Sequence, residues 1–435
     1  MKVLFVNPPS PDDFVYIRDT NRSGRRSVER TIWPQTSLAM LAGVLDKCEV
    51  EIIDCIAEGL SYKTLYERMK EFAPAWVVLN PISSIFVHDM IVAHYAKSLN
   101  AKTVVISPHA KALKEEVYAE YPSLDHIISP ERGGPEVEFL LREIITGVKS
   151  KGTSFSDLPP ARQDLLPTER YSLPFIGKRF TFVVVARGCP YKCIYCRQGV
   201  MYEGEVRYRS VDSVVEEIER YKLKNIALHS DTATLNKEWM KEFCIKIPKG
   251  VRWICNSRVD TVDRSMLWNM KRAGCWMVCY GIESGDDKVL EMNKKGATCE
   301  QAEKAVRWTK EAGIKVWGYF MLGLYGDDYE SMQRTIDFAV ALRPDIANFA
   351  VSAPYPGTEW NRIATERFSL QSGAVLFDQN FSAVVNQPNC PSDLVRSMQK
   401  RAYIKWFGSI RGLKIFFKDP WFFLNALADH IRTFS

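Results

Sequence analysis

Short apolar runs alternate with amphipathic stretches along the first third of the chain. The runs fall at 2–7, 50–54, 76–80 and 102–107, with a weaker one at 126–128. Between them, apolar positions take the spacing of helices near 37–47, 61–73, 88–99, 112–120 and 135–147. In the last of these, Val137, Leu140, Leu141, Ile144 and Ile145 share one helix face. Such alternation predicts a parallel, doubly wound, Rossmann-like sheet over residues 1–148. Ligands of these sheets bind in loops beyond the carboxyl ends of the strands. Those loops are Asn7-Pro8-Pro9, Asp54–Gly59, Asn80–Ser84 and Ser107-Pro108-His109. The chain has no G-x-G-x-x-G motif, so a dinucleotide is not indicated.

Periodicity is lost over 149–180, where Pro159, Pro160, Pro167 and Pro174 stand among polar residues, the composition of a linker. It resumes with longer units over 181–360. Apolar runs at 181–186, 225–229, 251–255, 276–282, 314–322 and 346–353 are separated by helical patterns near 211–222, 236–246, 263–273, 298–312 and 329–342. Val211, Val214, Val215, Ile218 and Tyr221 lie on one face, and Thr298 with Gln301 has the spacing of a capping box. Six such units predict a partial (βα)6 barrel. The expected fold class is α/β throughout, closed by a helical segment at 361–435. Chemistry in such barrels belongs at the carboxyl ends of the strands.

Composition adds limits. The chain has 435 residues, 46% hydrophobic and 25% charged, an ordinary globular balance with room for two or three domains. A net charge of +6 is mild for this length, and no nucleic-acid partner is expected. No apolar run approaches the ~20 residues of a membrane span. Val3-Leu4-Phe5-Val6 is too short for a signal-peptide core. A cytoplasmic, reducing setting is therefore expected, where clustered cysteines serve as metal ligands more readily than as disulfides.

Three of the 11 cysteines are clustered. Cys189, Cys193 and Cys196 stand in a C-x3-C-x2-C spacing directly after the run Thr181–Ala186, which reads as the first barrel strand. A structural zinc site takes four ligands, and a simple iron–sulfur cluster four cysteines. A 4Fe–4S cluster on three thiolates leaves one iron open to a small molecule; a zinc loop with a distant fourth ligand is the alternative. Polar groups collect at the other strand ends as well: His229-Ser230-Asp231-Thr232, Asn256-Ser257-Arg258 and Tyr280–Gly285 with Glu283.

The cysteine segment resembles that of radical S-adenosylmethionine (SAM) enzymes, with Tyr195 at the aromatic position before the third cysteine. The resemblance implies a 4Fe–4S cluster on Cys189, Cys193 and Cys196 with SAM at its open iron. It makes Arg258 and Glu283 candidates for SAM's carboxylate and its ribose or amino group. Asp231 stands where many relatives have a Gly-Gly-Glu run. Gly318–Gly326 and Ala353–Glu359 resemble the cobalamin-dependent subgroup that includes the anaerobic magnesium-protoporphyrin monomethyl ester cyclase and hopanoid methylases.

The first domain is looser in its resemblance. Asp54-Cys55-Ile56-Ala57-Glu58-Gly59 resembles the D-x-H-x-x-G loop of cobalamin-binding domains, with Ile56 in place of the histidine. Cobalamin is thus expected to bind without a lower axial histidine, with Asp54 and Gly59 framing the loop and Ser83 and Ser84 beside the nucleotide tail. The family then implies SAM cleavage to a 5′-deoxyadenosyl radical and methyl transfer to an unactivated carbon. A radical oxidative cyclase and a non-catalytic sensor are the alternatives. Implied partners are an apolar small molecule, such as a lipid, isoprenoid or tetrapyrrole, and a low-potential donor such as ferredoxin or flavodoxin in an anaerobic or reducing environment. Residues 401–435 hold nine aromatics and six Lys/Arg against two Asp. They are expected to pack on the barrel mouth; peripheral membrane contact is the other reading.

Overall fold

The computed structural model describes the chain except residues 13, 19–24, 27–30, 83–84, 108–113, 130–133, 150–153, 174–176, 199–201, 203, 371–382 and 410–435. The chain divides into two compact units, Met1–Val183 with Arg207–Asn225, and Val184–Val206 with Ile226–Ser435.

The first unit is built on five strands: β1 (Lys2–Asn7), β2 (Glu49–Asp54), β3 (Trp76–Leu79), β4 (Lys102–Ile106) and β5 (His126–Ile128). They pair parallel in the order β2-β1-β3-β4-β5. Val3, Leu4, Phe5 and Val6 are all fully buried, as a strand covered on both faces requires. This strand order puts the topological switch point at β1, and ligands of such sheets bind at its carboxyl end. The expected helix near 88–99 is broken at Met90 into Phe86–Asp89 and Ile91–Ser98. Asp89 ends the first piece and is turned inward, where its carboxylate takes both Arg18 Nη2 (2.7 Å) and the Ile82 N–H (3.3 Å).

The described residues of 154–173 are packed into this unit, despite their prolines. Phe155 and Tyr171 are fully buried, and three 3-10 turns follow one another. A buried polar network fixes the segment. Gln163 Nε2 donates to Glu217 Oε1 and to the Phe182 carbonyl, each at 3.0 Å, and Gln163 Oε1 accepts from Thr181 at 2.7 Å. Glu217 also takes Arg209 Nη1 at 2.6 Å, and both side chains are almost wholly excluded from water. Single anchoring residues of this kind leave no periodic trace in a sequence.

The second sheet runs in chain order over β6 (Phe180–Val184), β7 (Asn225–His229), β8 (Arg252–Arg258), β9 (Cys275–Glu283), β10 (Lys315–Leu322) and β11 (Ile346–Val351). Strands β8 to β11 pair parallel, as the alternation predicts. Helices precede each return, among them Cys299–Glu311, whose Thr298/Gln301 capping box forms. Tyr280 on β9 hydrogen-bonds Thr309 of that helix at 2.8 Å, so one sheet face meets the helices. The alternate row Arg258, Gly281, Tyr319 and Asn348, aligned by register, lies on the other face.

The last described helix, Ser392–Phe407, covers β11. Tyr403 Oη accepts the Phe349 N–H at 3.2 Å, and Gln399 Nε2 donates to the Phe349 carbonyl at 2.8 Å. Tyr403, Trp406 and Phe407 are buried, so the aromatic start of the C-terminal segment is core. Phe416, Phe417, Trp421, Phe422 and Phe423 lie outside the described residues. Among the described residues no helix is long and apolar enough to cross a membrane.

Removing one partner of a buried ion pair strands the other charge. Arg209→Met should therefore destabilise the first unit by about 3–5 kcal/mol, read as an earlier urea transition in tryptophan fluorescence. An unchanged midpoint would show that Glu217 is satisfied without Arg209.

Candidate functional site

The loop Gly188–Cys196 leaves the first barrel strand through a residue that has to be glycine. Gly188 has φ +95°, and a Cβ there would lie 1.9 Å from the Glu205 carbonyl oxygen. The loop that follows is held from several strand ends. Asp231, just beyond β7, accepts the Gly188 N–H at 3.0 Å. Asn293, in the turn after helix Asp287–Met292, accepts the Ile194 N–H on its carbonyl at 3.2 Å. The Ile194 carbonyl in turn accepts the Trp360 N–H at 2.9 Å. Arg258, the last residue of β8, lays its guanidinium 3.5 Å from the centre of the Tyr191 ring and points Nη1 at Cys193 Sγ, 3.9 Å away.

Cys189, Cys193 and Cys196 are free and partly exposed. Burial pushes the Cys196 thiol up to about 12, with Cys193, Asp231 and Cys189 adding to the rise. Burial raises Cys189 too; the Tyr191 N–H and Arg258 pull the other way. Metals bind the thiolate, so loading such a site releases protons and the metal supplies the charge compensation. Among the described residues no three His, Cys, Asp or Glu side chains converge tightly enough for one ion. Three thiols on one loop supply the donors that a 4Fe–4S cluster with one open iron takes from a protein.

Tyr195 packs among Trp360, Tyr325, Val289 and Met321. Its hydroxyl is buried near Cys193 and Cys196 with no oxygen or nitrogen partner, and burial and the Glu283 charge push its phenol well above the usual range. Glu283 ends β9 at φ +70°, a conformation that costs a non-glycine residue about 1 kcal/mol or more. Lys295 Nζ holds it, 2.9 Å from Oε1, and both side chains are largely buried. Gly281 leaves the room: a Cβ there would lie 2.6 Å from Glu283 Oε1 and 3.2 Å from Lys295 Nζ.

The guanidinium of Arg258 is held largely within the protein. Asp260 takes its Nε and Nη2 at 2.9 Å each, and the Lys295 carbonyl takes Nη2 at 2.7 Å. With Nη1 on the sulfur, four of its five N–H groups are engaged within the protein. Sequence reasoning did not single out Tyr191, Asp260, Asn293, Lys295 or Trp360. Asn293 and Trp360 act through main-chain groups, which carry no residue-type signal.

In the first unit, Asp54 is fully buried at the carboxyl end of β2. Its Oδ1 accepts from Asn7 Nδ2 (2.6 Å) and the Ala57 N–H (3.1 Å), and its Oδ2 from the Tyr171 hydroxyl (2.8 Å). Burial raises its carboxyl, and these bonds with Arg18 oppose the rise. Gly59 caps the short turn Cys55–Glu58 at φ +69°. Ile56 packs with Phe14 at the edge of a cluster of Tyr16, Ile82 and Ile85. The loop is thus set without a ligand, and its surface at Ile56 is apolar. Ser83, Ser84 and His109 lie outside the described residues.

Residues 183–339 match the Radical SAM superfamily. A radical SAM domain therefore occupies residues 183–339. A 4Fe–4S cluster and SAM are what such a domain implies, and the three thiols fit the cluster. The chain is 28% identical to an uncharacterised methyltransferase of Pyrococcus horikoshii, over 94% of this chain and 92% of that protein. It is 26% identical to the anaerobic magnesium-protoporphyrin IX monomethyl ester cyclase of Cereibacter sphaeroides, over 97% and 72%. Its fold is shared with the radical SAM methyltransferase TsrM of Kitasatospora setae (TM-score 0.64, 17% identity, 91% of this chain and 82% of that one). It is shared also with the cobalamin-dependent radical SAM enzyme OxsB (TM-score 0.69, 15% identity, 99% and 72%).

If Gly188 is needed for the loop's path, Gly188→Ala should lower the iron bound per chain on anaerobic reconstitution several-fold while the far-UV circular dichroism stays unchanged. Full iron content in that variant would show that the loop tolerates another route.

Proposed function

We propose that the protein is a cobalamin-dependent radical SAM enzyme that transfers a methyl group to an unactivated carbon of a small, largely apolar molecule. The observation that carries the reading is the cysteine loop, pinned from two strand ends and two helix termini by groups other than a fourth metal ligand. The P. horikoshii methyltransferase relative and the fold shared with TsrM and OxsB support it.

A reduced 4Fe–4S cluster with SAM on its open iron would supply a carbon radical, and cobalamin would supply the methyl group. Cys189, Cys193 and Cys196 would hold the cluster. The Glu283–Lys295 pair would meet the amino-acid end or ribose of SAM: among the described residues, Lys295 Nζ bonds Glu283 Oε1 and leaves Glu283 Oε2 and two of its own N–H groups for a ligand. Arg258, engaged by Asp260 and the Lys295 carbonyl, would serve the loop instead. Tyr195 would keep water from the site with its ring, and the row Gly281, Tyr319 and Asn348 would face the reacting carbon.

In the first unit, the carboxyl end of β1 and the apolar surface at Ile56 fit the face of a large planar cofactor. Asp54, tied to Asn7, Ala57 and Tyr171, would fix that loop, and Ile56 would offer no nitrogen to cobalt. A low-potential one-electron donor such as ferredoxin or flavodoxin would reduce the cluster. The cyclase relative supports a second reading, oxidative ring closure on the same cofactors.

Anaerobically reconstituted protein should turn SAM into 5′-deoxyadenosine, and Cys193→Ala should lose this activity by more than ~100-fold. Background turnover in the fully loaded wild type would sink the enzymatic reading. Product mass separates the two chemistries, since methyl transfer adds one CH2 and ring oxidation does not. The cobalt(II) EPR spectrum of bound cobalamin should lack nitrogen hyperfine structure from a lower ligand and gain it in Ile56→His. Wild-type nitrogen splitting that changes when the protein is labelled with nitrogen-15, and so comes from a protein ligand, would contradict the role given to Ile56.

A further inference from the structure

We propose that Arg258 raises the reduction potential of the cluster by holding a fixed cation and an N–H donor against the Cys193 sulfur. The inference rests on the reading of Cys189, Cys193 and Cys196 as the cluster site, and assigns Arg258 to the cluster rather than to SAM's carboxylate.

Four contacts remove the side chain's freedom. Asp260 grips the Nε–Nη2 edge at 2.9 Å on each nitrogen, the Lys295 carbonyl takes Nη2 at 2.7 Å, and Tyr191 stacks on the guanidinium face at 3.5 Å. Arg258 is 5% exposed, so it cannot turn out to water without breaking all of them. The remaining edge, Nη1, is aimed at Cys193 Sγ. Tyr191 and Cys193 belong to the same loop, so one side chain both clamps the loop and presents charge to a ligand sulfur.

Asp260 does not cancel this effect. Its carboxylate sits on the edge away from the sulfur, so the pair presents its positive end to the cluster. Reduction adds one electron to the cluster, taken from a one-electron donor, and no proton is needed at Arg258, which is charged in both states. A nearby cation and an N–H bond to a ligand sulfur favour the more negative, reduced state; charge, sulfur hydrogen bonds and exposure are the terms that set such potentials. The scarcity of reducing power at the potentials these clusters need makes such a lift useful.

The sign of the shift separates tuning from loosening. Opening a cluster to water also favours the reduced state, so a variant that merely loosened the loop would move the potential upward. Loss of the cation moves it downward. The test is a dye-mediated spectroelectrochemical titration of the reconstituted full-length protein, normalised to iron and sulfide per chain, for the wild type, Arg258→Met, Arg258→Lys and Asp260→Asn. Arg258→Met is expected at a more negative midpoint, Arg258→Lys between it and the wild type, and Asp260→Asn more positive. Should Arg258→Met take up no cluster, Arg258→Lys decides, because loosening and tuning both place Asp260→Asn upward. Midpoints equal to the wild type's in the loaded variants, or an upward shift in Arg258→Met, overturn the proposal. A wild type that takes up no cluster brings down the site reading itself and this inference with it.

Discussion

A metal loop with three ligands has to be held in shape by something other than a fourth. In a closed zinc or iron–sulfur site the metal gathers its own loop; leaving one iron open gives up part of that grip. With Cys189, Cys193 and Cys196 as the proposed ligands, the protein would supply it. The Gly188 N–H is fixed by Asp231, both main-chain groups of Ile194 by Asn293 and Trp360, and the Tyr191–Cys193 stretch by Arg258. Those partners come from positions after or at the ends of different strands, which is why the loop depends on the whole barrel and not on its own turn chemistry. The same partners link the loop to Glu283: Lys295 gives its carbonyl to Arg258 and its ammonium to Glu283.

The first unit uses a related device. Asp54, which in a D-x-H-x-x-G loop would stand two residues before the histidine, instead spends both oxygens on Asn7, Ala57 and Tyr171. Tyr171 comes from a proline-bearing segment that composition marks as a linker, yet its ring is fully buried. With Ile56 set against Phe14, Tyr16, Ile82 and Ile85, the loop keeps its form and loses the nitrogen.

Much of the fold was legible because its strands are short, apolar and rich in β-branched residues, and their helices carry one clear apolar face. Helix Tyr329–Leu342 and strand His126–Ile128 fall where the pattern puts them. The cysteine loop was legible because its spacing is chemically odd. Neither signal reaches residues that work through the backbone, as Asn293 and Lys295 do, or singly, as Tyr171 and Gln163 do. Arg258 shows the other limit. Its place at a strand end was plain from the sequence, but its partner two residues on, Asp260, and the ring of Tyr191 could be joined to it only in three dimensions.

Three thiolates on a protein-held loop would leave one iron open to SAM. Electron–nuclear double resonance on the reduced, reconstituted protein with SAM labelled with nitrogen-15 at its amino group tests it most directly. A nitrogen-15 coupling to the cluster that is absent without the label is the predicted result. A loaded cluster that binds SAM without any such coupling would contradict it.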